Sequence, residues 1–333
     1  MAMRKFWIAS LLGTLAVAGC NQSPVSYGAQ NSIIVIAADP LWESVQDTVA
    51  MVLEPPIFTV REERTFDLTH ASPANPVWQQ FRMWRQVLVI GDADDSWVQP
   101  ALEKADSVPT ELPAFFQVRD VWARNQEVTV VLLPSSSDRA ALLELLPELH
   151  AYVDGRFRAY VRERMFTSGP NDELREALES SAGFSLTVPN VYRVAELDSV
   201  YVFRNDQQRQ SELIRSIVVS WREALPVEEI TPELVLAWRD SLSLDFHDPM
   251  QMVDHDRGVQ AREIDGGVEI RGVWKTLPDD WPGAGPYVER VVVCPEQDRT
   301  YLLDAWLYAP GQGKYEYMLQ LETILDTFAC TAS

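Results

Sequence analysis

The chain has 333 residues, of which 28 are basic and 49 acidic, and its net charge at pH 7 is −21. So large a negative charge opposes binding to nucleic acid or to anionic lipid surfaces. A hydrophobic content of 47% is ordinary for a globular chain, and the length allows two domains of common size.

The first twenty residues are typical of a bacterial lipoprotein signal. Two basic residues precede the apolar run Phe6–Ala18, which is far shorter than the roughly 20 residues of a membrane-spanning helix. The run ends at "VAGC", which resembles the lipobox, where the signal is cut before a cysteine whose thiol receives diacylglycerol. We therefore predict that residues 1–19 are a signal peptide and that Cys20 is lipidated. The alternative is an ordinary secreted protein in which the cysteine has no such role.

The residues after Cys20 indicate which membrane of the cell envelope holds the protein. An Asp at the next position resembles an inner-membrane retention signal, so Asn21 predicts an outer-membrane lipoprotein that faces the periplasm. Residues 20–30 are polar and include Pro24 and Gly28, which predicts a tether between lipid and domain. The expected partners are the membrane, through the lipid on Cys20, and an unknown envelope protein or glycan. Nucleic acid is not expected.

Residues 31–168 alternate between strand and helix patterns. Strands are predicted at 32–38, 65–70 and 86–91, and helices at 39–53, 75–84 and near 95–105. The segments "AFFQVRDVW" and "EVTVVLLP" are typical of a hairpin, and a long helix capped by Ser137 or Asp138 follows. This alternation predicts an N-terminal α/β sandwich.

The polar segment "TSGPND" at 167–172 marks the predicted domain boundary, and residues 169–333 form the second predicted domain. Consecutive strand patterns follow, from "GFSLTV" to "TYLLDAWLYAP". They are interrupted by a helix capped by Thr231 and followed by a final helix. Consecutive strands with few helices predict an antiparallel sheet backed by helices, so the chain as a whole is assigned to the α+β class.

Two cysteines lie in the second predicted domain. Cys294 ends a strand of the pattern "VERVVVC", and a second strand then runs away from it. A helix returns by a similar length and ends near Cys330, so the two thiols should meet. An oxidising compartment makes a Cys294–Cys330 disulfide plausible. Two separate buried thiols remain the alternative.

Two groups of residues suggest chemistry without establishing it. Asp92 and Asp94 follow the strand at 86–91, as in the nucleophile motif of haloacid-dehalogenase-type phosphatases. The favoured interpretation is that these aspartates end a strand and cap the next helix. His247 and His255 lie among acidic residues at 246–258 and could bind a divalent ion, but a solvated acidic loop is favoured because no ligand spacing fixes a site.

A run of arginines interrupts the long helix before the boundary. Arg156, Arg158, Arg162 and Arg164 could meet an anionic glycan or partner. The favoured interpretation is a solvated helix face paired with Glu163.

The segment from Trp274 to Tyr287, "WKTLPDDWPGAGPY", is a candidate binding loop. It is rich in proline and glycine and should run over the surface, with Trp281 at its centre as a rigid aromatic anchor. The favoured interpretation of Trp281 is nevertheless that it folds back as a lid over the sheet's own core, because most tryptophans are largely buried. No catalytic residue, metal ligand or cofactor is predicted.

Several segments resemble an uncharacterised family of bacterial lipoproteins, domain of unknown function 4837. They include "NSIIVIAADPLW", "TFDLTH", "EIRGVW", "AWLYAPG" and "LQLETILDTF", and the resemblance extends over nearly the whole mature chain. The C-terminal half is also similar in layout to PsbP-like domains. The family implies location and fold but no activity. The predicted function is therefore a non-enzymatic binding or scaffolding lipoprotein, and the alternative is a periplasmic hydrolase.

Overall fold

The computed structural model describes residues 23–206 and 213–331, so the predicted signal peptide, Cys20 and Asn21 lie outside the described residues. In chain order, the elements of the N-terminal half are β1 (Ser32–Ile36), α1 (Asp39–Leu53), β2 (Pro56–Ile57), β3 (Glu63–Arg64), β4 (Asp67–Ala71), α2 (Trp78–Phe81), β5 (Gln86–Gly91), α3 (Gln99–Leu102), β6 (Ala114–Arg119), β7 (Glu127–Leu132) and α4 (Arg139–Met165).

The first half is built on a five-stranded sheet in the order β4-β1-β5-β7-β6, parallel except for β6. In α1, Pro40 lies in the first turn and the buried residues recur every four positions, so one apolar stripe packs on the sheet. Asp138 caps α4 by accepting a hydrogen bond from the amide of Ala141 at 3.0 Å. Helices α1 and α4 cover one face, and the short α2 and α3 cover the other with tryptophan side chains.

The elements of the C-terminal half are α5 (Asp172–Ser181), β8 (Phe184–Ser185), β9 (Arg193–Leu197), β10 (Val200–Asp206), β11 (Ile214–Glu223), α6 (Pro232–Asp245), β12 (Gln251–Val253), β13 (Gln260–Ile264), β14 (Gly267–Thr276), β15 (Ala284–Cys294), β16 (Arg299–Tyr308), α7 (Tyr315–Leu325) and β17 (Ala329–Cys330). The main sheet is antiparallel in the order β12-β14-β15-β16-β11-β10-β9, and β13 also pairs with β14. Helix α7 packs on one face and α6 on the other. The predicted α+β class is therefore confirmed.

The last helix belongs to both halves. Tyr315 and Leu319 of α7 pack into the core of the N-terminal half, against α1 and α4. Met318, Leu321 and Leu325 pack into the core of the C-terminal half. The helix is thus buried around nearly its whole circumference. None of the seven described helices combines the length and the apolar character of a bilayer span.

The predicted tether is shorter than expected, because residues 23–27 are already docked on the N-terminal half. The amide of Ser26 donates to the carbonyl of Arg124 at 2.9 Å, and the amide of Arg124 donates to the carbonyl of Pro24 at 2.8 Å. The amide of Arg85 donates to the carbonyl of Tyr27 at 2.7 Å. This docking also explains why the predicted helix at 75–84 shrinks to α2, since Met83 and Arg85 pair with residue 27 instead of continuing the helix.

Cys294 and Cys330 are joined by a disulfide, with their Cα atoms 5.9 Å apart. The bond links the end of β15 to β17, which pairs with β8. It therefore fixes the end of the chain to the start of the C-terminal half.

Removing this disulfide should lower stability. The chain-entropy model assigns a loop of this length at most about 4 kcal/mol, so Cys294→Ser/Cys330→Ser should unfold at lower urea concentration than the oxidised chain. Thiol titration of the unfolded, unreduced mature chain should find neither cysteine free. Two titratable thiols from these positions would contradict the pairing.

Candidate functional site

A cleft of about 320 Å³ lies where α4, α7 and the edge of the C-terminal sheet meet the segment that follows α1. Its volume is at the lower end of the range for ligand pockets, about 300–1,000 Å³. The cleft is lined by Pro55, Pro56, Ile57, Phe58, Thr65, His150, Asp154, Arg158, Gln260, Arg271, Tyr287, Tyr315, Met318, Leu319 and Glu322.

The charged side chains of the cleft are already paired with one another. Arg158 donates from Nε to Oδ2 of Asp154 at 2.6 Å, one turn earlier on α4. Arg271 of β14 donates from Nη1 to Oε1 of Glu322 on α7 at 2.6 Å. The hydroxyl of Tyr315 donates to Asp154 as well. The cleft therefore presents donors and acceptors side by side, with no unpaired charge from these groups.

Glu269, on the α7 face of the sheet, holds Arg271 in place. Its carboxylate is buried and lies 2.8–3.0 Å from nitrogen atoms of Arg262, Arg271 and Arg290. Burial raises the pKa of Glu269, but the three guanidinium groups outweigh it and bring the pKa down to about 2. Glu269 therefore stays ionised at neutral pH and fixes the arginine that reaches the cleft.

Three residues that line the cleft carry buried polar atoms that have no hydrogen-bond partner among residues 23–206 and 213–331. They are the hydroxyls of Thr65 and Tyr287 and Nε2 of His150. Thr65 and Tyr287 are buried, and leaving a buried polar group unpaired costs about 1–3 kcal/mol. Burial raises the pKa of Tyr287, so its phenol stays neutral and keeps a proton to donate.

A second polar cluster lies on the opposite face of the C-terminal sheet, beneath α6. Arg239 of α6, His247, Glu289 of β15 and Asp304 of β16 have no exposed side-chain surface. Nε of Arg239 lies 3.3 Å from Oδ1 of Asp304, and Nε2 of His247 lies 3.0 Å from Oδ2 of the same carboxylate. Gln251 accepts from Arg239 at 3.0 Å.

The two carboxylates of this cluster differ in protonation. Burial and the neighbouring Asp304 raise the pKa of Glu289 well above its usual value. Burial acts on Asp304 in the same direction, but Arg239 and His247 outweigh it and lower the pKa of Asp304. The anionic form is therefore favoured at Asp304, and the protonated form is favoured at Glu289.

This cluster corrects the prediction of a solvated acidic loop at 246–258. His247 is buried against Asp304, and Gln251–Val253 form β12 instead of loop. His255 is exposed in a separate turn, so the two histidines do not share a site. Within residues 23–206 and 213–331, no group of three or more His, Cys, Asp or Glu side chains could hold a metal ion.

The candidate binding loop is shorter than predicted. Strand β14 continues to Thr276 and β15 begins at Ala284, which places both flanking aromatics in the sheet. Trp274 is fully buried and donates from Nε1 to the carbonyl of Leu307 at 3.2 Å. Tyr287 is buried beneath the guanidinium of Arg239. Neither can therefore be a contact of a surface loop.

Of the three aromatic residues of that segment, only Trp281 remains at the surface. Its side chain is 43% exposed, and its ring packs edge-on against Tyr308 at 5.1 Å between ring centroids. The residue therefore combines partial cover of the sheet with an exposed face.

Asp92 links the ends of β5 and β7. Its Oδ2 accepts hydrogen bonds from the amide and hydroxyl of Ser136 at 3.0 and 2.7 Å, and its Oδ1 accepts from the amide of Asp94 at 2.9 Å. The hydroxyl of Ser136 is the main cause of the lowered pKa of Asp92. These contacts agree with the strand-end part of the favoured interpretation, because the carboxylate is engaged in turn hydrogen bonds. The predicted capping of the next helix is wrong, since Val98 occupies the N-cap position of α3 without a side-chain hydrogen bond.

The arginines of α4 have other partners than predicted. Glu163 makes no ion pair within the part of the chain that the structure describes. Arg156 pairs instead with Glu127, at the start of β7, and Arg164 contacts the Tyr160 hydroxyl at 2.7 Å. The prediction of a face paired with Glu163 is thus wrong, because α4 packs beside β7 and α7 and finds partners there.

Two family models match successive parts of the chain. Residues 171–327 match domain of unknown function DUF4837, and residues 26–166 match domain of unknown function DUF8532. The predicted resemblance to the first family is confirmed, but over the C-terminal half only. The blocks "NSIIVIAADPLW" and "TFDLTH" lie in the second match. No curated protein matches the chain.

Three solved structures are similar to part of the chain. Cyanobacterial PsbP (CyanoP) from Synechocystis sp. PCC 6803 has 14% identity and a TM-score of 0.30, and covers 45% of this chain and 88% of its own. The Ran-binding protein Mog1p of Saccharomyces cerevisiae has 11% identity and a TM-score of 0.32, with coverage of 45% and 91%. LpqN of Mycobacterium tuberculosis, described as involved in cell envelope biogenesis, has 15% identity and a TM-score of 0.30, with coverage of 44% and 83%. The predicted similarity to PsbP-like domains is confirmed as a resemblance.

The two buried carboxylates should respond differently to substitution by their amides. Asp304→Asn leaves Arg239 and His247 without their anion and should lower the free energy of unfolding by about 3–5 kcal/mol at pH 7. Burial disfavours the ionised form of Glu289, so Glu289→Gln should leave that free energy unchanged or raise it. Urea unfolding of each variant measures the difference.

The pH dependence gives an independent check. Glu289 ionises near its ordinary pKa in the unfolded chain but higher in the folded chain, so its contribution to stability falls as the pH rises above that ordinary pKa. Glu289→Gln should remove this pH-dependent component above the ordinary pKa of a glutamate. A loss of stability equal to that of Asp304→Asn would contradict the assignment.

Proposed function

We propose that the mature chain is a lipid-anchored protein of the outer membrane that faces the periplasm and binds a short, neutral glycan in the cleft. The observation that carries the binding proposal is that paired charges and unpaired neutral polar groups both occur among the residues that line one cavity. A ligand there gains hydrogen bonds without having to neutralise a free charge.

A hydroxyl-rich ligand fits this chemistry. Each sugar hydroxyl both donates and accepts, and the pairs Arg158–Asp154 and Arg271–Glu322 offer acceptors and donors at adjacent positions. The apolar residues Pro55–Phe58 offer a surface for the C–H face of a sugar ring. A charged ligand would instead have to compete with ion pairs that are already formed.

The geometry favours binding over hydrolysis. The carboxylates Asp154 and Glu322 both pair with arginine, and such a carboxylate is poorly suited to act as the proton donor of a glycosidase. Asp92 is engaged in turn hydrogen bonds, and His247 is buried against Asp304. Asp92 and His247, two of the groups on which the hydrolase alternative depends, are therefore committed to structural contacts.

The anchor is supported by the sequence before the described residues. A basic start, a short apolar run and "VAGC" at Cys20 agree with lipoprotein processing. Several acyl chains on one residue make a stable anchor, whereas one chain alone is marginal. The disulfide between Cys294 and Cys330 agrees with an oxidising compartment.

Binding in the cleft is tested with a pair of conservative variants. Wild-type mature chain titrated with neutral N-acetylglucosamine disaccharide should show saturable binding by calorimetry. Thr65→Val and Tyr287→Phe each remove a hydroxyl that has no partner in the described part of the chain, so folding should be preserved. Each loss of a ligand hydrogen bond should weaken binding by roughly 2- to 12-fold.

Thr59→Val is the matched control. Thr59 is also buried with an unpartnered hydroxyl, but it does not line the cleft. Its variant should bind like wild type. Equal binding by Thr65→Val, Tyr287→Phe and Thr59→Val, or no binding by the wild type, would count against the cleft.

The anchor is tested at Cys20. Cys20→Ser should abolish incorporation of radiolabelled palmitate and leave uncleaved or unlipidated precursor, because the thioether cannot form. Labelled cells fractionated into inner and outer membranes report both effects. Full acyl labelling of the variant in the outer membrane would refute lipidation at this residue.

A further inference from the structure

The point at which the chain joins the N-terminal half lies close to the proposed lipid. Only Asn21 and Gln22 separate Cys20 from Ser23, whose carbonyl accepts a hydrogen bond from Nε of Arg124 at 3.0 Å. At no more than about 3.5 Å per residue, the span from Cys20 to Ser23 is at most about 10 Å. Ser23, which contacts the turn that carries Arg124, must therefore lie within that distance of the lipidated residue.

The headgroup layer on each side of a bilayer is about 5–8 Å thick. A span of about 10 Å leaves little room beyond that layer. The part of the protein around Ser23 and Arg124 is thus held against the membrane surface, in contrast to the mobile arrangement that an eleven-residue tether would allow.

This part of the surface, which we name the N-terminal edge, is rich in aromatic side chains. It comprises Tyr27, Trp78, Arg82, Trp84, Trp122 and Arg124, of which the three tryptophans are half-buried against the core of the N-terminal half. Tyr27 is 43% exposed, and its ring packs edge-on against Trp84 at 4.9 Å between centroids. Trp78 and Trp122 form a second edge-on pair at 6.2 Å.

The arginines of the N-terminal edge are free of carboxylate partners. Within residues 23–206 and 213–331, neither Arg82 nor Arg124 forms an ion pair, and Arg82 lies 5.7 Å from the ring centroid of Trp78. Arg124 is exposed. Most of the other basic residues pair with acids, so these two keep their charge available to an anionic group.

Aromatic rings with polar tips and long basic side chains are the residues favoured at membrane–water interfaces. We propose that the N-terminal edge rests on the phospholipid headgroups of the membrane that holds the anchor, with Arg82 and Arg124 at lipid phosphates. This inference rests on the proposed lipidation of Cys20. The net negative charge of the chain does not prevent the contact, because charges beyond about 8 Å are largely screened at physiological salt.

The test uses the full-length lipidated chain in vesicles of phosphatidylethanolamine and phosphatidylglycerol that contain a headgroup-labelled nitroxide lipid. Tryptophans at the headgroup level should be quenched by the nitroxide. The triple variant Trp78→Phe/Trp84→Phe/Trp122→Phe should lose most of that quenching. Trp281→Phe, which removes an exposed tryptophan of the C-terminal half, should retain it.

The contribution of the two arginines to the lipid contact is tested with separate variants. Arg82→Gln/Arg124→Gln should reduce the nitroxide quenching, whereas Arg139→Gln, at the start of α4, should leave it unchanged. Circular dichroism of each variant confirms that the fold is retained. Quenching that is identical in the wild type, the triple tryptophan variant and the double arginine variant would overturn the proposal.

Vesicle flotation separates this inference from the proposed anchor. A chain that floats with vesicles but shows no nitroxide quenching has a working anchor and an N-terminal edge that does not touch lipid, which overturns this inference alone. A chain that does not float overturns the anchor and, with it, the contact that depends on it.

Discussion

The burial of α7 on all sides is the constraint on which the rest of the molecule depends. Tyr315 and Leu319 complete one core, and Met318, Leu321 and Leu325 complete the other. The same helix supplies Glu322 to Arg271 and the Tyr315 hydroxyl to Asp154. The cleft therefore exists because one helix is shared by two cores, and its polar wall is assembled from elements that α7 brings together.

Much of the fold could be predicted from local patterns. Strand β5 and helix α1 have the predicted bounds, because an unbroken apolar run and a proline-started amphipathic stripe each specify one element. The sequence pattern also predicted the final helix, α7. Periodicity could not show that Tyr315 and Leu319 belong to the core of the N-terminal half. A helix with two buried faces has apolar residues at less regular spacing than a helix with one.

The cleft and the α6 cluster could not be predicted in this way. Thr65, Asp154, Arg271 and Glu322 come from four distant segments, and their meeting is a property of packing between the halves. His247 looked solvated because its neighbours in sequence are acidic, whereas its partner in space is Asp304. Docking of residues 23–27 was missed because polar residues with Pro and Gly are typical of linkers, and the backbone pairing with Arg124 leaves no signal in side-chain pattern.

Glu269 also influences how β14 is aligned with its neighbouring strands. It lies opposite Arg262 on β13 and opposite Arg290 on β15, so both neighbouring strands recognise the same carboxylate. A slip of β14 by one residue would turn Glu269 towards the apolar core beneath α6 and place Ile270 between the two arginines. Val- and Ile-rich strands of this length offer many apolar pairings of similar energy. The buried carboxylate gives the correct alignment a partner on each side, and so it selects one register among several that hydrophobic contact alone would permit.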